Sequence, residues 1–252
     1  MSLAVSIVSH GHAREVRELL ALLARSDSTL VRRVWVTLNT PEPFLDGDPS
    51  LHGNLDVRVI RNVRPKGFGA NHNQAFAQEW ALDDCSRWFV VMNPDISWDQ
   101  APWASMVECA EREKAGCVFP LQRGPHGEVQ DHRRRLPTPT ALMHRHGLLP
   151  SGPTPSEAPD WVNAALLLFP SNVYQQLKGF DESYFMYCED VDICLRLQLM
   201  GYRLVEAQAA CVTHVASRAS RRNALHLLWH VRSLLRLWGS VPYQHYLDRL
   251  VR

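Results

Sequence analysis

Short apolar, β-branched runs alternate with stretches of helical periodicity, and this alternation constrains the chain more than any other feature. Leu3–Ser9 (LAVSIVS) reads as a buried strand. Ala13–Leu23 carries Val16, Leu19, Leu20 and Leu23 at helical spacing. Val34–Leu38, Val57–Ile60 and Trp88–Met92 read as further strands, and Ala70–Leu82 as a helix entered through a Gly-rich turn. Asp99 is placed to cap a helix running to about Glu113. Such alternation predicts an α/β fold: a mostly parallel central sheet with helices on both faces. Regular structure is expected to resume at Trp161–Phe169. A helix follows over Asp190–Met200, stopped by Gly201, then short strand pieces at Val205 and Cys211–His214. Between Pro120 and Pro159 lie eight of the sixteen prolines and the cluster Arg133-Arg134-Arg135, which reads as a long functional loop.

Length and charge narrow the function classes. The 252 residues suit a catalytic domain over 1–217 with a basic, amphipathic helical extension over 218–252. A net charge of +1 argues against a nucleic-acid partner, although from Arg218 onward there are seven Arg, no Lys and one acid, Asp248. The six Cys form no CxxC pair, which excludes zinc-ribbon and thioredoxin readings and suits reduced thiols in the cytosol. No signal sequence or bilayer-spanning run is legible, so any membrane contact is expected to be peripheral.

Four constellations carry chemistry. Met92-Asn93-Pro94-Asp95 closes a buried strand, where ligands of open α/β sheets bind. A carboxylate there can hold a divalent ion on phosphate oxygens, although Asn-Pro-Asp also reads as a plain turn. Glu189, Asp190 and Asp192 crowd together after an aromatic run, Tyr184–Cys188. Acids at a helix N-terminus suit the dipole, and aromatic neighbours raise a carboxyl pKa toward that of a general base. His214 follows an apolar stretch and is a ligand or a structural residue. Lys66-Gly67-Phe68-Gly69-Ala70-Asn71-His72-Asn73 opens a helix with backbone N–H groups, without matching a dinucleotide or P-loop fingerprint.

In this order the blocks VSIVSHGH, GFGANHNQA, VVMNPDI, DWVNAALLLFP and GFDESYFMYCEDVDICLRLQLMGYRL resemble the inverting GT-A glycosyltransferases of family 2, across Val5 to about Trp238. VSHGH, NPDI, FMYCEDVD and the basic tail are most similar to bacterial O-antigen rhamnosyltransferases. Leu38-Asn39 stands where members often carry Asp-Asn, and Asn93 replaces the first Asp of DxD, leaving Asp95 as that motif's strong metal ligand.

The resemblance implies transfer of L-rhamnose from dTDP-L-rhamnose to N-acetylglucosaminyl-diphosphoundecaprenol. Alternatives are a UDP-hexose donor or an inactive nucleotide-binding scaffold. It implies Mg²⁺ or Mn²⁺ on Asp95 and His214, and Asp190 as general base, with Glu189 as the rival. The nucleotide-sugar donor would lie on Ser9, Gly11, Asn39, Gly67, Phe68, Asn71, Asn93 and Asp95. The lipid-linked acceptor would lie on Trp161, Asp192, Arg196, Arg134 and Arg135. Arg196 alternatively pairs with Asp192 at i,i+4, and Arg134 and Arg135 alternatively are solvated loop charge.

On a 100° wheel the terminal helix, read over Ser220–Trp238, gathers Ala224, Leu227, Leu228, Val231, Leu234, Leu235 and Trp238 on one arc. Arg222, His226, Trp229, Ser233 and Arg236 lie opposite. Either the apolar arc packs on the core beneath a solvated basic face, or the Arg-rich face with Trp229 meets anionic lipid on the cytoplasmic side of the membrane.

Overall fold

The computed structural model describes residues 2–25, 29–43, 55–145, 158–215 and 224–251. The first half is β1 (Leu3–Ser9), α1 (Ala13–Arg25), β2 (Val31–Leu38), β3 (Asp56–Arg61), α2 (Phe68–Trp80) and β4 (Trp88–Met92). β1 runs parallel to both β2 and β4, and β2 parallel to β3. Strands buried on both faces need continuous apolar runs, and every side chain of β4 is buried. The α1 stripe read from the sequence, Val16, Leu19, Leu20 and Leu23, is the buried one.

The second half continues with β5 (Ile96–Ser97), α3 (Trp103–Glu113), β6 (Cys117–Arg123), β7 (Arg133–Arg134), α4 (Pro139–Arg145), β8 (Trp161–Val162), β9 (Leu166–Pro170) and α5 (Ser171–Gln176). It ends with α6 (Glu189–Leu199), β10 (Leu204–His214), α7 (Ala224–Trp238) and α8 (Val241–Val251). Eight strands form one sheet in the order β3-β2-β1-β4-β9-β6-β10-β5, and β7 pairs with β8 apart from it. β9 is antiparallel to β4 and β6, and β5 is antiparallel to β10, so the sheet is mixed. Apolar layers cover both faces. Leu3, Val5 and Ile7 pack toward α1 and α3, while Ala4, Phe89 and Val91 pack toward α2, α6 and α8. This is the α/β architecture with helices on both faces that the sequence predicts.

Four readings need correction. Asp99 caps nothing: α3 begins at Trp103 behind Pro102, whose fixed φ suits a helix start. Val205 and Cys211–His214 belong to one strand, β10, whose register skips between Ala207 and Cys211 opposite Pro120, a residue without an N–H. The extension read over 218–252 holds a second helix beyond Trp238: α8 puts Tyr243 and Tyr246 in the core, and the Tyr246 hydroxyl donates to Asp160 at 3.1 Å.

The fourth correction concerns α7. It buries Ser233 and Leu237; of the apolar arc only Leu234 and Trp238 pack on the core, while Leu227, Leu228, Val231 and Leu235 turn outward. Its other arc finds partners on the Tyr184–Cys188 turn, where Ser233 and His226 meet polar groups and Trp229 packs on Phe185. The described part of the helix begins at Ala224, so Arg222 lies outside the described residues.

Candidate active site

The sheet brings Asp95 to His214. After β4, the Asn93 N–H donates to the Ala165 carbonyl at 2.8 Å and turns the chain. β5 then pairs with the end of β10, His214 opposite Ile96, and the Val215 N–H donates to the Asp95 carbonyl at 3.2 Å. The Asp95 Oδ1 consequently stands 3.5 Å from His214 Nε2. Burial pushes the Asp95 carboxyl up, with the His214 charge opposing, and burial pushes the His214 ring down, with Asp95 opposing.

Gln130 fixes the His214 tautomer. Its Nε2 donates to the His214 carbonyl at 2.6 Å, which leaves its Oε1, 3.1 Å from Nδ1, as an acceptor. Nδ1 therefore carries the proton, and Nε2 faces Asp95 with a lone pair. Two donor atoms about 2.1 Å from one ion lie at most about 4.2 Å apart, so this pair fits a shared Mg²⁺ or Mn²⁺. No third His, Cys, Asp or Glu joins them among the described residues. The rest of a coordination shell would be substrate oxygen and water, which suits ions bound together with phosphates.

The second half of the site is the turn before α6. Tyr187 and Cys188 are left-handed, with φ of 71° and 64°, a strained state for non-glycine residues. Neighbours hold it there. The Phe68 N–H donates to the Phe185 carbonyl at 2.9 Å. The Ser233 hydroxyl donates to the Met186 carbonyl at 2.8 Å, and the Tyr187 hydroxyl lies 2.8 Å from His226 Nδ1.

This turn gives adjacent carboxylates different surroundings. Glu189 is buried, and burial together with the Asp190 charge pushes its carboxyl well up. Asp190 keeps part of its surface open. Burial raises its carboxyl to about 6, against the lowering pull of Arg134 and of backbone N–H groups, including Ala164. An accessible carboxylate titrating near neutrality can accept a proton from a hydroxyl.

One turn joins the two halves. The Gln122 side-chain amide donates to Asn163 Oδ1 at 2.8 Å, and the Asn163 N–H donates to the His132 carbonyl at 3.1 Å. The His132 N–H in turn donates to the Gln130 carbonyl at 2.9 Å. Arg134 lies 5.0 Å over the Trp161 ring, with Nε donating to the Asp131 carbonyl.

Comparison with known proteins decides the family. No family model matches the chain. The crystal structure of GalNAc-T7 with UDP, GalNAc and Mn²⁺ superposes over 98% of this chain and 49% of that one, with a TM-score of 0.60 at 15% identity. Staphylococcus aureus TarS 1-349 with UDP-GlcNAc gives 0.61 at 12% identity, over 98% and 69%. Both show the GT-A fold. In sequence, the N-acetylglucosaminyl-diphospho-decaprenol L-rhamnosyltransferase of Mycobacterium tuberculosis is 31% identical over 219 residues, 75% of this chain and 69% of the relative. Rhamnosyltransferase WbbL of Escherichia coli is 28% identical over 244 residues, 92% of this chain and 90% of the relative.

The chain belongs to the rhamnosyltransferase family. It is a glycosyltransferase, and the resemblance read from its five sequence blocks holds.

In this rhamnosyltransferase family member several predicted contact residues turn out to be engaged elsewhere. Asn39, Asn62 and Asn71 form an amide net around the Lys66–Gly67 turn. Asn39 Oδ1 accepts from Lys66 N–H at 2.8 Å and from Asn62 at 2.9 Å, and Asn71 Nδ2 donates to the Gly67 carbonyl at 2.9 Å. Asn39 and Asn71 are buried and brace the Lys66–Gly67 turn. The Phe68 N–H is held by the Phe185 carbonyl, and a Cβ on Gly67 would lie 2.6 Å from the Phe185 oxygen. Glycine is needed there so that the Phe185 backbone can approach.

The acceptor side divides in the same way. Buried Asp192 pairs with Arg196 at 2.7 Å, and Arg196 also donates to the carbonyls of Leu177 and Gly179. The pair and the two carbonyl contacts lock the turn around Gly179. Arg135 turns toward Asp160 at 3.5 Å, whereas Arg134, over the Trp161 ring, stays near enough to act on the Asp190 charge. On the donor side, the buried Ser9 hydroxyl accepts the His12 N–H at 3.1 Å, while Gly11 is exposed at φ +83° and Asn93 is half-buried. Gln130, His132, Asn62 and Asn163 escaped the sequence reading because scattered polar residues in loops carry no periodicity.

Proposed function

We propose that the chain transfers L-rhamnose from dTDP-L-rhamnose to a hydroxyl of N-acetylglucosamine carried on a polyprenyl diphosphate, with inversion at the anomeric carbon. Asp190 carries this reading. Its carboxyl is partly open, raised to about 6 by burial, and set by the strained turn before α6. The acceptor O–H gives its proton to Asp190 as its oxygen bonds to the anomeric carbon. The bond from that carbon to the diphosphate breaks, and the electron pair leaves on the diphosphate. Attack from the opposite face inverts the centre in one displacement.

Asp95 and His214 would hold Mg²⁺ or Mn²⁺, which supplies positive charge against the leaving diphosphate. GalNAc-T7, crystallised with Mn²⁺ and UDP, supports a divalent ion in this fold. Arg134 would steady the acceptor diphosphate. The mycobacterial and E. coli relatives, both named rhamnosyltransferases, support the sugar, and the acceptor in the mycobacterial name supports the lipid diphosphate. No helix among the described residues is long and apolar enough to cross a membrane. The enzyme would work peripherally, on the cytoplasmic face where nucleotide sugars are made.

The test is transfer to a synthetic N-acetylglucosaminyl-diphospholipid from dTDP-L-rhamnose, UDP-hexoses and GDP-sugars, each with Mg²⁺ or Mn²⁺. Rhamnose transfer from the dTDP donor with an inverted product is expected. Transfer only from a UDP-hexose would overturn the donor, and no transfer from any donor would leave a binding scaffold.

A further inference from the structure

We propose that the outward face of α7 is a lipid-docking surface that holds the enzyme on an anionic bilayer and sets the catalytic turn against it; this deepens the reading of a lipid-carried acceptor and rests on it. Leu227, Leu228, Val231 and Leu235 are 55%, 63%, 46% and 61% exposed. At 100° per residue they share one arc with Ala224, and the exposed Arg232 and Arg236 flank it on one side. The opposite arc is the one that packs. Ser233 holds the Met186 carbonyl, His226 meets the Tyr187 hydroxyl, Trp229 packs on Phe185 with ring centroids 5.0 Å apart, and Tyr187 stacks on His230 at 4.9 Å.

A surface helix of a soluble protein ordinarily turns its apolar stripe to the core. Here Leu237 is buried and Leu234 and Trp238 pack on the core at one edge, while Ser233, His226 and Trp229 face the protein and Leu227, Leu228, Val231 and Leu235 face out, which fits a helix lying in the headgroup boundary. The charge also fits. Between 224 and 251 the acids number one, Asp248, against Arg232, Arg236 and Arg249, and such a surface attracts anionic headgroups. A second copy of the chain fits less well. A 15-residue helix presents a face about 22 Å by 10 Å, or roughly 220 Å², well below the roughly 800 Å² per partner of a stable interface. Two copies would also bring their arginines together. Because the inner arc grips 184–188, lipid docked outside lies one helix diameter from the turn that carries Asp190.

The experiment uses the full chain in two assays. The first is co-sedimentation with vesicles of phosphatidylglycerol and phosphatidylethanolamine, with no sugar substrate present. The second is turnover on N-acetylglucosaminyl diphosphate bearing a short, water-soluble alkyl chain. The wild type should bind these vesicles and bind pure phosphatidylcholine less. Leu228→Glu with Leu235→Glu should cut vesicle binding at least tenfold while leaving turnover on the soluble acceptor unchanged. Arg232→Gln should reduce only the preference for anionic lipid. Equal vesicle binding by wild type and the double variant would overturn the proposal. So would a wild-type dimer in light scattering that the double variant dissolves. Should the double variant melt early, Leu228→Gln with Leu235→Gln replaces it. Vesicle binding needs no donor, so failure of the rhamnosyl reading shows in turnover alone.

Discussion

Glu189 and Asp190 carry the same functional group in different surroundings, and the difference assigns their roles. Glu189 is buried, and burial together with the Asp190 charge pushes its carboxyl well up, which favours the protonated acid. Asp190, raised to about 6, is ionised above that pH and protonated below it. A base must be unprotonated, so the rate is expected to fall about tenfold per pH unit below about 6 and to be flat above. Asp190→Asn should lose roughly 10²–10⁴-fold in kcat. Glu189→Gln, close to isosteric with the protonated acid, should keep both rate and acid limb; a pH–rate profile of both variants checks this, and a dead Glu189→Gln beside an active Asp190→Asn would reverse the roles. Gln130 belongs to the same scale, because it holds the His214 proton on Nδ1. Gln130→Met keeps length and removes both contacts. Mn²⁺ affinity, read by the paramagnetic signal of the free ion with dTDP present, is expected to weaken about 10–100-fold, as for other groups that orient a metal ligand.

At the scale of elements, α6 shows how one helix serves both stability and chemistry. Its first turn carries all three carboxylates, and one of them, Asp192, anchors the chain through Arg196 a turn further on. Asp192→Asn leaves a largely buried guanidinium without its counter-charge. Losing one partner of a buried pair costs roughly 3–5 kcal/mol, and the lower end fits here because Arg196 reaches solvent in part. Urea denaturation should show that loss, while the acceptor KM of the folded variant stays at the wild-type value; a raised KM at unchanged stability would return Asp192 to the acceptor. α7 illustrates the opposite case. Its period was legible in the sequence, but a helical wheel reports which residues share an arc and not which arc packs. That choice came from Tyr184–Cys188, a partner supplied by a different part of the chain.

At the scale of the molecule, the sheet order places residues 119 positions apart in one site, since β5 pairs with the end of β10 and delivers Asp95 to His214. If they share one ion, their removal cannot be additive. Asp95→Ala and His214→Ala should each weaken Mn²⁺-dependent dTDP binding. The double variant should be little worse than either, giving a coupling of roughly 0.5–3 kcal/mol; additive losses by calorimetry would separate them. Much of this site was legible in one dimension. Buried strands announce themselves by continuous apolar runs, helices by a 3.6 period, and the NPD and YCEDVD blocks by polar residues set against apolar ones. These signals fixed the α/β class, the strand ends and the two carboxylate motifs, because each depends on residues within a few positions of one another. Tertiary structure alone decided that Asn39 and Asn71 brace a turn, that Arg196 also reaches the carbonyls of Leu177 and Gly179, that Gln130 orients His214 and that α7 faces outward. Those outcomes depend on which polar groups meet across tens of residues, and a hydrogen bond between distant residues leaves no period in the sequence.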